Sequence, residues 1–153
     1  MVNHVLLVTD SAHVHEESFF YAKELAKRMD LAIHALILAR SEASADLRGS
    51  IGEVLEKIIS SAKAEGISAT GSSRFGDQAS ELLKYLAIHP GTQCLVWGGD
   101  PEILRETGKK HSSHWLLRVK SELDCPIAGA MGKKSELRAV AGNVPGGMNK
   151  KGK

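Results

Sequence analysis

The residues best suited to chemistry lie in one stretch, 98–114, which reads GGDPEILRETGKKHSSH. It follows a short apolar run that ends at Trp97 and precedes a helical pattern that begins at Trp115. Glycines after a strand and serines at the start of a helix can hold phosphate groups, because backbone N–H groups approach the anion and the helix dipole favours it. The stretch therefore indicates an anion-binding loop, provided that the fold places it beside a ligand crevice.

The composition predicts one folded domain and a basic tail. The chain has 153 residues, 42% of them hydrophobic and 25% charged, with a net charge of +2. This suffices for a single core, which we assign to residues 1–132. Residues 133–153 combine glycines with lysines and lack apolar periodicity, so we expect a disordered, solvated tail. Its charge could attract nucleic acid, but we expect no nucleic-acid partner.

The sequence also bears on compartment and redox chemistry. No run has the length of a membrane span or the pattern of a signal peptide. Cys94 and Cys125 are not closely spaced, as they would be in a zinc or redox motif. We therefore expect a cytoplasmic protein with no membrane partner and no structural disulfide, in which Cys125 is a packing residue.

Short apolar runs alternate with helical patterns along the chain. Strands are predicted at residues 5–8, 32–38, 67–70, 94–97 and 125–130. Helices are predicted from Phe19 to Asp30, from a capping box at Ser50 and Glu53, from a cap at Asp77 to His89, and over residues 115–123. Such alternation predicts an α/β fold, with an open five-stranded parallel sheet and helices on both faces.

The loops after the first and fourth strands are expected to meet. Parallel sheets bind ligands at the carboxyl ends of their strands, at the point where the strand order reverses. With the Rossmann-like order 3-2-1-4-5, the reversal lies between strands one and four. Asp10 and the stretch from Gly98 would then flank one crevice.

The order and spacing of these motifs resemble the universal stress protein family. The segment VLLVTDSAHVHEESFFYAKELAKRMDLAIHALIL resembles its first strand ending in valine–x–aspartate, its seryl turn, its first helix and its second strand. CLVWGG and HSSHWLLRVKSELDCPIAGA resemble its fourth strand, its last helix and its Cys-Pro before the final strand. The resemblance covers about residues 2–131. It implies an adenine nucleotide alpha hydrolase-like fold, a homodimer and a role in stress adaptation.

The glycine loop departs from the pattern of ATP-binding members. Their fourth strand is followed by glycine, two residues, glycine, nine residues, and glycine with serine or threonine. Counting from Gly98 puts Pro101 at the second glycine, and counting from Gly99 puts Glu102 there. Proline has no N–H to offer a phosphate, and the glutamate charge would repel one. Asp100 and Pro101 instead predict a short helix that ends at Gly108.

We therefore expect a homodimeric regulatory and interaction module, without a conventional ATP site, without an expected cofactor and without enzymatic activity. Its protein partner is unknown. The resemblance implies pairing through the free edge of the last strand, whose small residues permit close approach. This edge consists of Pro126, Ile127, Ala128, Gly129, Ala130 and Met131.

The alternative is an adenine-nucleotide switch that binds ATP through a degenerate glycine loop and is at most a slow ATPase. Its crevice would consist of Asp10, Ser11, Gly98, Gly99, Lys109, Ser112 and Ser113. Lys109 or Lys110 would then compensate for the missing glycine as a point charge. Asp10 itself has two interpretations, a contact to ribose or metal, or the N-cap of the next helix.

Histidines in the same two loops raise the question of a metal site. His13, His15, His111 and His114 are the candidates, since imidazoles three residues apart at a helix start share a face. The simpler interpretation is that they are solvent-exposed or cap helix ends. We expect no metal.

Overall fold

Residues 3–105 and 114–129 are described by the structure, a computed structural model. The elements are β1 (His4–Thr9), α1 (Glu16–Met29), β2 (Ala32–Ala39), α2 (Ala45–Ala64), β3 (Ala69–Phe75), α3 (Gln78–Ile88), β4 (Thr92–Trp97), α4 (Glu102–Arg105), α5 (Trp115–Val119) and β5 (Ile127–Ala128). The strands pair in parallel in the order β3-β2-β1-β4-β5. The predicted fold class and strand order are confirmed.

The sheet lies between two hydrophobic layers, one on each of its faces. All six residues of β1 are buried, because this strand has a neighbour on each side and helices on both faces. Val5 and Leu7 face the layer that contains residues of α1 and α2. Leu6 and Val8 face the layer that contains residues of α3 and α5. No helix among the described residues is long and apolar enough to cross a membrane.

The start of α2 corrects the predicted capping box. The helix begins at Ala45, and its N-cap is Ser44, whose Oγ accepts a hydrogen bond from the Leu47 N–H at 3.1 Å. Ser50 therefore lies inside the helix, and the predicted start was wrong. The first turn of α2 is exposed and lacks the apolar stripe by which the sequence located the helix. By contrast, Asp77 caps α3 as predicted, accepting from the Ser80 N–H at 3.0 Å.

The outer strands also differ from the prediction. β3 runs from Ala69 to Phe75 instead of over residues 67–70, since an edge strand with exposed polar residues shows no continuous apolar run. β5 is limited to Ile127–Ala128, shorter than the predicted 125–130. The last α-helix ends at Val119 and continues as a 3₁₀ turn to Glu122. The predicted tail, 133–153, lies outside the described residues.

Candidate functional site

The carboxyl ends of β1 and β4 are joined by backbone hydrogen bonds. The Gly98 N–H donates to the Val8 carbonyl at 2.7 Å, and the His15 N–H donates to the Gly98 carbonyl at 3.0 Å. The loop after β1 and the first glycine after β4 are therefore held side by side, as the strand order predicts. A Cβ at Gly98 would lie 3.2 Å from the side chains of Leu7 and Val14, so a glycine suits this close approach.

The carboxylate of Asp10 accepts hydrogen bonds from two side chains at the start of α5. Its Oδ2 accepts a hydrogen bond from Trp115 Nε1 at 2.9 Å and one from His114 Nε2 at 3.1 Å. Burial raises the pKa of Asp10, but these hydrogen bonds outweigh it and lower the pKa below its usual 3.8. Asp10 does not cap the next helix, because the N-cap of α1 is His15. The N-cap interpretation of Asp10 was wrong.

His114 is held through both of its ring nitrogens. It is the N-cap of α5, and its Nδ1 accepts from the Leu116 N–H at 3.1 Å. Since an accepting Nδ1 carries no proton, the proton of the neutral ring lies on Nε2 and is donated to Asp10. Asp10 and His114 thus satisfy one another. Neither is arranged as a free general base.

Trp97 covers the second glycine of the loop. Its indole is buried and donates from Nε1 to the Asp100 carbonyl at 2.9 Å. A Cβ at Gly99 would lie only 2.5 Å from Trp97 Cζ2, so the ring lies directly against this backbone. Trp97 also packs edge-on against His114 at 5.4 Å and against Trp115 at 5.8 Å between ring centroids. We call Trp97, His114 and Trp115 the aromatic cluster.

The loop after Gly99 folds into the predicted short helix. Asp100 Oδ1 accepts from the Glu102 N–H at 2.9 Å, and its carbonyl accepts from the Ile103 N–H at 3.1 Å. Helix α4 follows over Glu102–Arg105. The predicted end at Gly108 lies outside the described residues. In the described part, the polar groups of this turn bond to one another.

The remaining crevice candidates fall into two groups. Ser11 is exposed, and its hydroxyl donates to the His13 carbonyl at 3.2 Å. The serine therefore shapes the turn after β1. Lys109, Lys110, Ser112 and Ser113 lie outside the described residues.

The proposed dimer edge is the outer strand of the sheet, as far as the structure describes it. β5 pairs with β4, and the Leu95 N–H donates to the Pro126 carbonyl at 2.9 Å. Gly129 packs closely on Leu104, whose Cδ1 would lie 2.5 Å from an added Cβ. Ala130 and Met131 lie outside the described residues.

Three of the four loop histidines, His13, His15 and His114, lie among the described residues. His13 and His15 contact each other edge-on at 5.1 Å, whereas His114 binds Asp10. His111 lies outside the described residues. Among the residues that are described, no three His, Cys, Asp or Glu side chains are arranged to hold a metal ion.

Cys94 and Cys125 are free cysteines whose side chains are partly buried. Burial raises the pKa of Cys94 to about 11 and also raises that of Cys125. A thiol with a raised pKa carries little nucleophilic thiolate, which agrees with a packing role for Cys125.

Sequence reasoning missed two groups of side chains. Asp10 contacts two residues of the aromatic cluster, His114 and Trp115, which lie 104 and 105 positions later in the chain. No local sequence pattern encodes such a contact. The second group lies at the opposite, amino-terminal edge of the sheet and contains His4, His34 and His89. The available clue was that His4 and His34 lie in the first half of two strands and His89 at the end of a helix, but their spacing along the chain is irregular.

Comparison with solved structures identifies the fold. No protein-family model and no curated protein matches the sequence. A universal stress protein from Archaeoglobus fulgidus has a TM-score of 0.64 at 13% identity, over 84% of this chain and 98% of that chain. The universal stress protein of this organism in complex with dAMP gives 0.60 at 14%, with the same coverage. A family protein from Arabidopsis thaliana with AMP bound gives 0.54 at 17%, over 82% and 89%.

These similarities define an α/β protein with a Rossmann-like parallel sheet. More specifically, the chain has the universal stress protein fold, and the resemblance found in the sequence is confirmed at the level of the fold.

Proposed function

We propose that the chain is a universal-stress-protein-like interaction module whose nucleotide crevice is closed by its own side chains. One observation carries this proposal. The carboxylate of Asp10 is bound by His114 and Trp115, while Trp97 lies on the backbone of Gly99. The Oδ2 atom of Asp10 and the side of Gly99 that faces Trp97 are therefore engaged within the protein.

The cost of opening this arrangement supports the proposal. Both hydrogen bonds end on Oδ2, so a ribose that took this oxygen would have to replace two hydrogen bonds to a charged acceptor and would leave the N–H of the largely buried Trp115 without its partner. A phosphate that approached Gly99 from the side of its missing Cβ would have to displace the buried Trp97 indole. Pro101 offers no N–H in return. Nor is Asp10 with His114 poised for acid–base catalysis, so the proposal does not include an enzymatic activity.

The second candidate is an adenine-nucleotide switch at the same crevice. Its support is that proteins with this fold have been solved with dAMP and with AMP. In this chain Asp10, Ser11, Gly98 and Gly99 would contribute, with Lys109, Ser112 and Ser113 from the loop. Binding would require the aromatic cluster to move away from Asp10.

Calorimetry separates the two candidates. The purified chain is titrated with ATP and with AMP, with and without Mg²⁺, after mass spectrometry has checked for copurified nucleotide. The closed crevice predicts no heat of binding up to millimolar nucleotide. Micromolar binding that is lost in Asp10→Ala, and kept in Asp77→Ala as a control for lost stability, would instead establish the switch.

For the assembly we propose a homodimer that pairs through the free edge of β5. In a parallel ladder alternate residues bond to opposite sides. Because Pro126 accepts from β4, the N–H of Ile127 points away from β4, toward the edge that no described strand covers. Ile127→Pro removes that donor, whereas Ile127→Ala shortens the side chain and keeps it. Sedimentation should show a dimer for the wild type and Ile127→Ala, and a monomer for Ile127→Pro. A dimer that survives the proline would place the interface elsewhere.

A further inference from the structure

A second group of polar aromatic residues lies at the amino-terminal edge of the sheet, opposite the crevice. We call it the histidine cluster, and it consists of His4, His34, Tyr85, His89 and Thr92. The His4 ring is buried and stacks on the His34 ring, with centroids 3.7 Å apart and planes at 13°. The Tyr85 ring stacks on the His89 ring at 4.0 Å. His34 meets the edges of the second stack, 5.6 Å from the His89 ring.

Hydrogen bonds assign the protons in this cluster. The Thr92 hydroxyl donates to the His89 carbonyl at 3.1 Å, which uses its one hydrogen. The contact of 2.7 Å between Thr92 Oγ1 and His4 Nε2 must therefore be donated by His4. His89 Nδ1 donates to the Tyr85 carbonyl at 3.0 Å, and the Tyr85 hydroxyl lies 3.1 Å from His34 Nδ1.

This arrangement ties the end of α3 to the sheet. His34 and His4 belong to β2 and β1, whereas Tyr85 is in the last turns of α3 and His89 is its C-cap. The polar contacts between the sheet and the end of α3 are the Tyr85–His34 hydrogen bond, the edge-on contact of the His34 and His89 rings, and the hydrogen bond from the Thr92 hydroxyl to the His89 carbonyl. β2 is paired on both sides, but α3 ends at Ile88, which is 62% exposed. If the cluster breaks, the end of α3 is the element that is free to move.

The titratable groups beside His34 favour its neutral form. The titratable and charged groups around the cluster are His4 from β1, Tyr85 and the C-cap His89 from α3, and Arg74 from β3, whose guanidinium lies 5.6 Å from the Tyr85 ring and 3.6 Å from the carboxylate of Glu81 in α3. Burial first, and then the neighbouring His4 and His89, lower the pKa of His34 from 6.5 to about 4. Two further carboxylates, those of Glu122 and Asp124, line a cavity of about 380 Å³ together with His89, Thr92 and Cys125.

We propose that His34 is a proton-sensitive latch, which holds residues 85–89 on the sheet while it is neutral and releases them when it takes up a proton. The C-terminal turn of α3 forms one wall of the cavity beside His89, so release would also open this cavity. The inference does not depend on the function proposed above.

The pH range follows from linkage. In the released state the His34 ring is exposed and binds a proton with its ordinary pKa of 6.5, whereas in the closed state its pKa is about 4. The released state therefore binds more protons between these values. The latch is fully stable above pH 6.5 and is progressively weakened as the pH falls to 4.

Amide hydrogen exchange of the full chain tests the latch. Protection factors, corrected for the intrinsic rate, are compared for residues 85–89 and for α1 between about pH 7 and about pH 4.5. We expect the protection of residues 85–89 to fall by roughly tenfold or more and to stay well below that of α1 at both pH values, because release opens the turn without unfolding the domain. His34→Gln, which can still accept from Tyr85 but does not titrate in this range, should remove this pH dependence. His13→Gln, at an exposed histidine of the opposite edge, should keep it.

Two results would overturn the latch. Equal protection factors in α1 and in residues 85–89 would mean that acid unfolds the whole domain at once. An unchanged pH dependence in His34→Gln would mean that another group is responsible. Should His34→Gln fail to fold, Tyr85→Phe keeps both ring stacks and removes the bond to His34. It should then shift the release to higher pH, and an unshifted release would contradict the proposal.

Discussion

Removing the carboxylate of Asp10 should destabilise the domain measurably. Asp10→Ala deletes the acceptor of two hydrogen bonds and leaves the N–H of Trp115, which is 7% exposed, without its partner. A hydrogen bond to a charged group contributes about 1.5–3 kcal/mol. Since His114 can turn to water, we expect a total loss of about 2–4 kcal/mol in the free energy of unfolding. For a domain of this size that corresponds to about 5–15 °C in Tm.

A second substitution separates the charge from the geometry. In Asp10→Asn the amide oxygen can take the place of Oδ2 and accept from both donors. Only the charge is lost, so we expect a cost of about 1 kcal/mol. The folded-state pKa of Asp10 is lowered, so the stabilisation by its charge is present above pH 3.8 and is lost as the pH falls through the folded pKa. Asp10→Asn should lack this part of the pH dependence.

Urea unfolding followed by tryptophan fluorescence is the assay. Trp97 and Trp115 are the two tryptophans of the chain, and both belong to the aromatic cluster, so their emission reports on the site itself. Circular dichroism gives the transition of the whole domain. The reasoning would be refuted if Asp10→Ala unfolded within about 0.5 kcal/mol of the wild type, or if Asp10→Asn were the less stable variant.

Three further predictions follow from the same structure. Gly99→Ala places a Cβ 2.5 Å from an indole carbon and should cost about 1–3 kcal/mol. Gly52→Ala in α2, where nothing lies within 4 Å, should instead stabilise by about 0.5–1 kcal/mol in the same urea assay. Ser44→Ala should cost about 1 kcal/mol as a lost N-cap, whereas equal costs for Ser44→Ala and Ser50→Ala would contradict the observed start of α2. Stability should fall by roughly 2 kcal/mol between pH 6.5 and 4, allowing for partial exposure of His34, and chemical unfolding of His34→Gln should show no such fall.

A shared fold does not by itself decide what a site binds. Proteins with this fold have been solved with adenine nucleotides, and the loops of this chain meet at the corresponding edge of the sheet. In this chain Trp97 lies against the Gly99 backbone, and Asp10 Oδ2 accepts from His114 and Trp115. Function follows from the site, and the same sheet can carry an open or a filled one.

Much of the fold could be predicted from the sequence because burial leaves a periodic record. Strands covered on both faces are continuous apolar runs, so β1 and β2 were located to within a residue or two at each end. Where an element is only partly buried, its sequence lacks this apolar pattern and the prediction fails. The polar residues of β3 hid most of that strand, and the exposed first turn of α2 hid its true cap, Ser44.

The sequence by itself determined the alternation of elements and the meeting of Asp10 with the loop after Trp97, because parallel strands place their carboxyl ends at one edge. The partners of Asp10 were decided only by the tertiary structure, which brings His114 and Trp115 across more than one hundred residues. The stacking of His4 on His34 was likewise decided by the register of β1 and β2 under α3. Contacts of this kind depend on how layers pack in space, and no spacing along the chain encodes them.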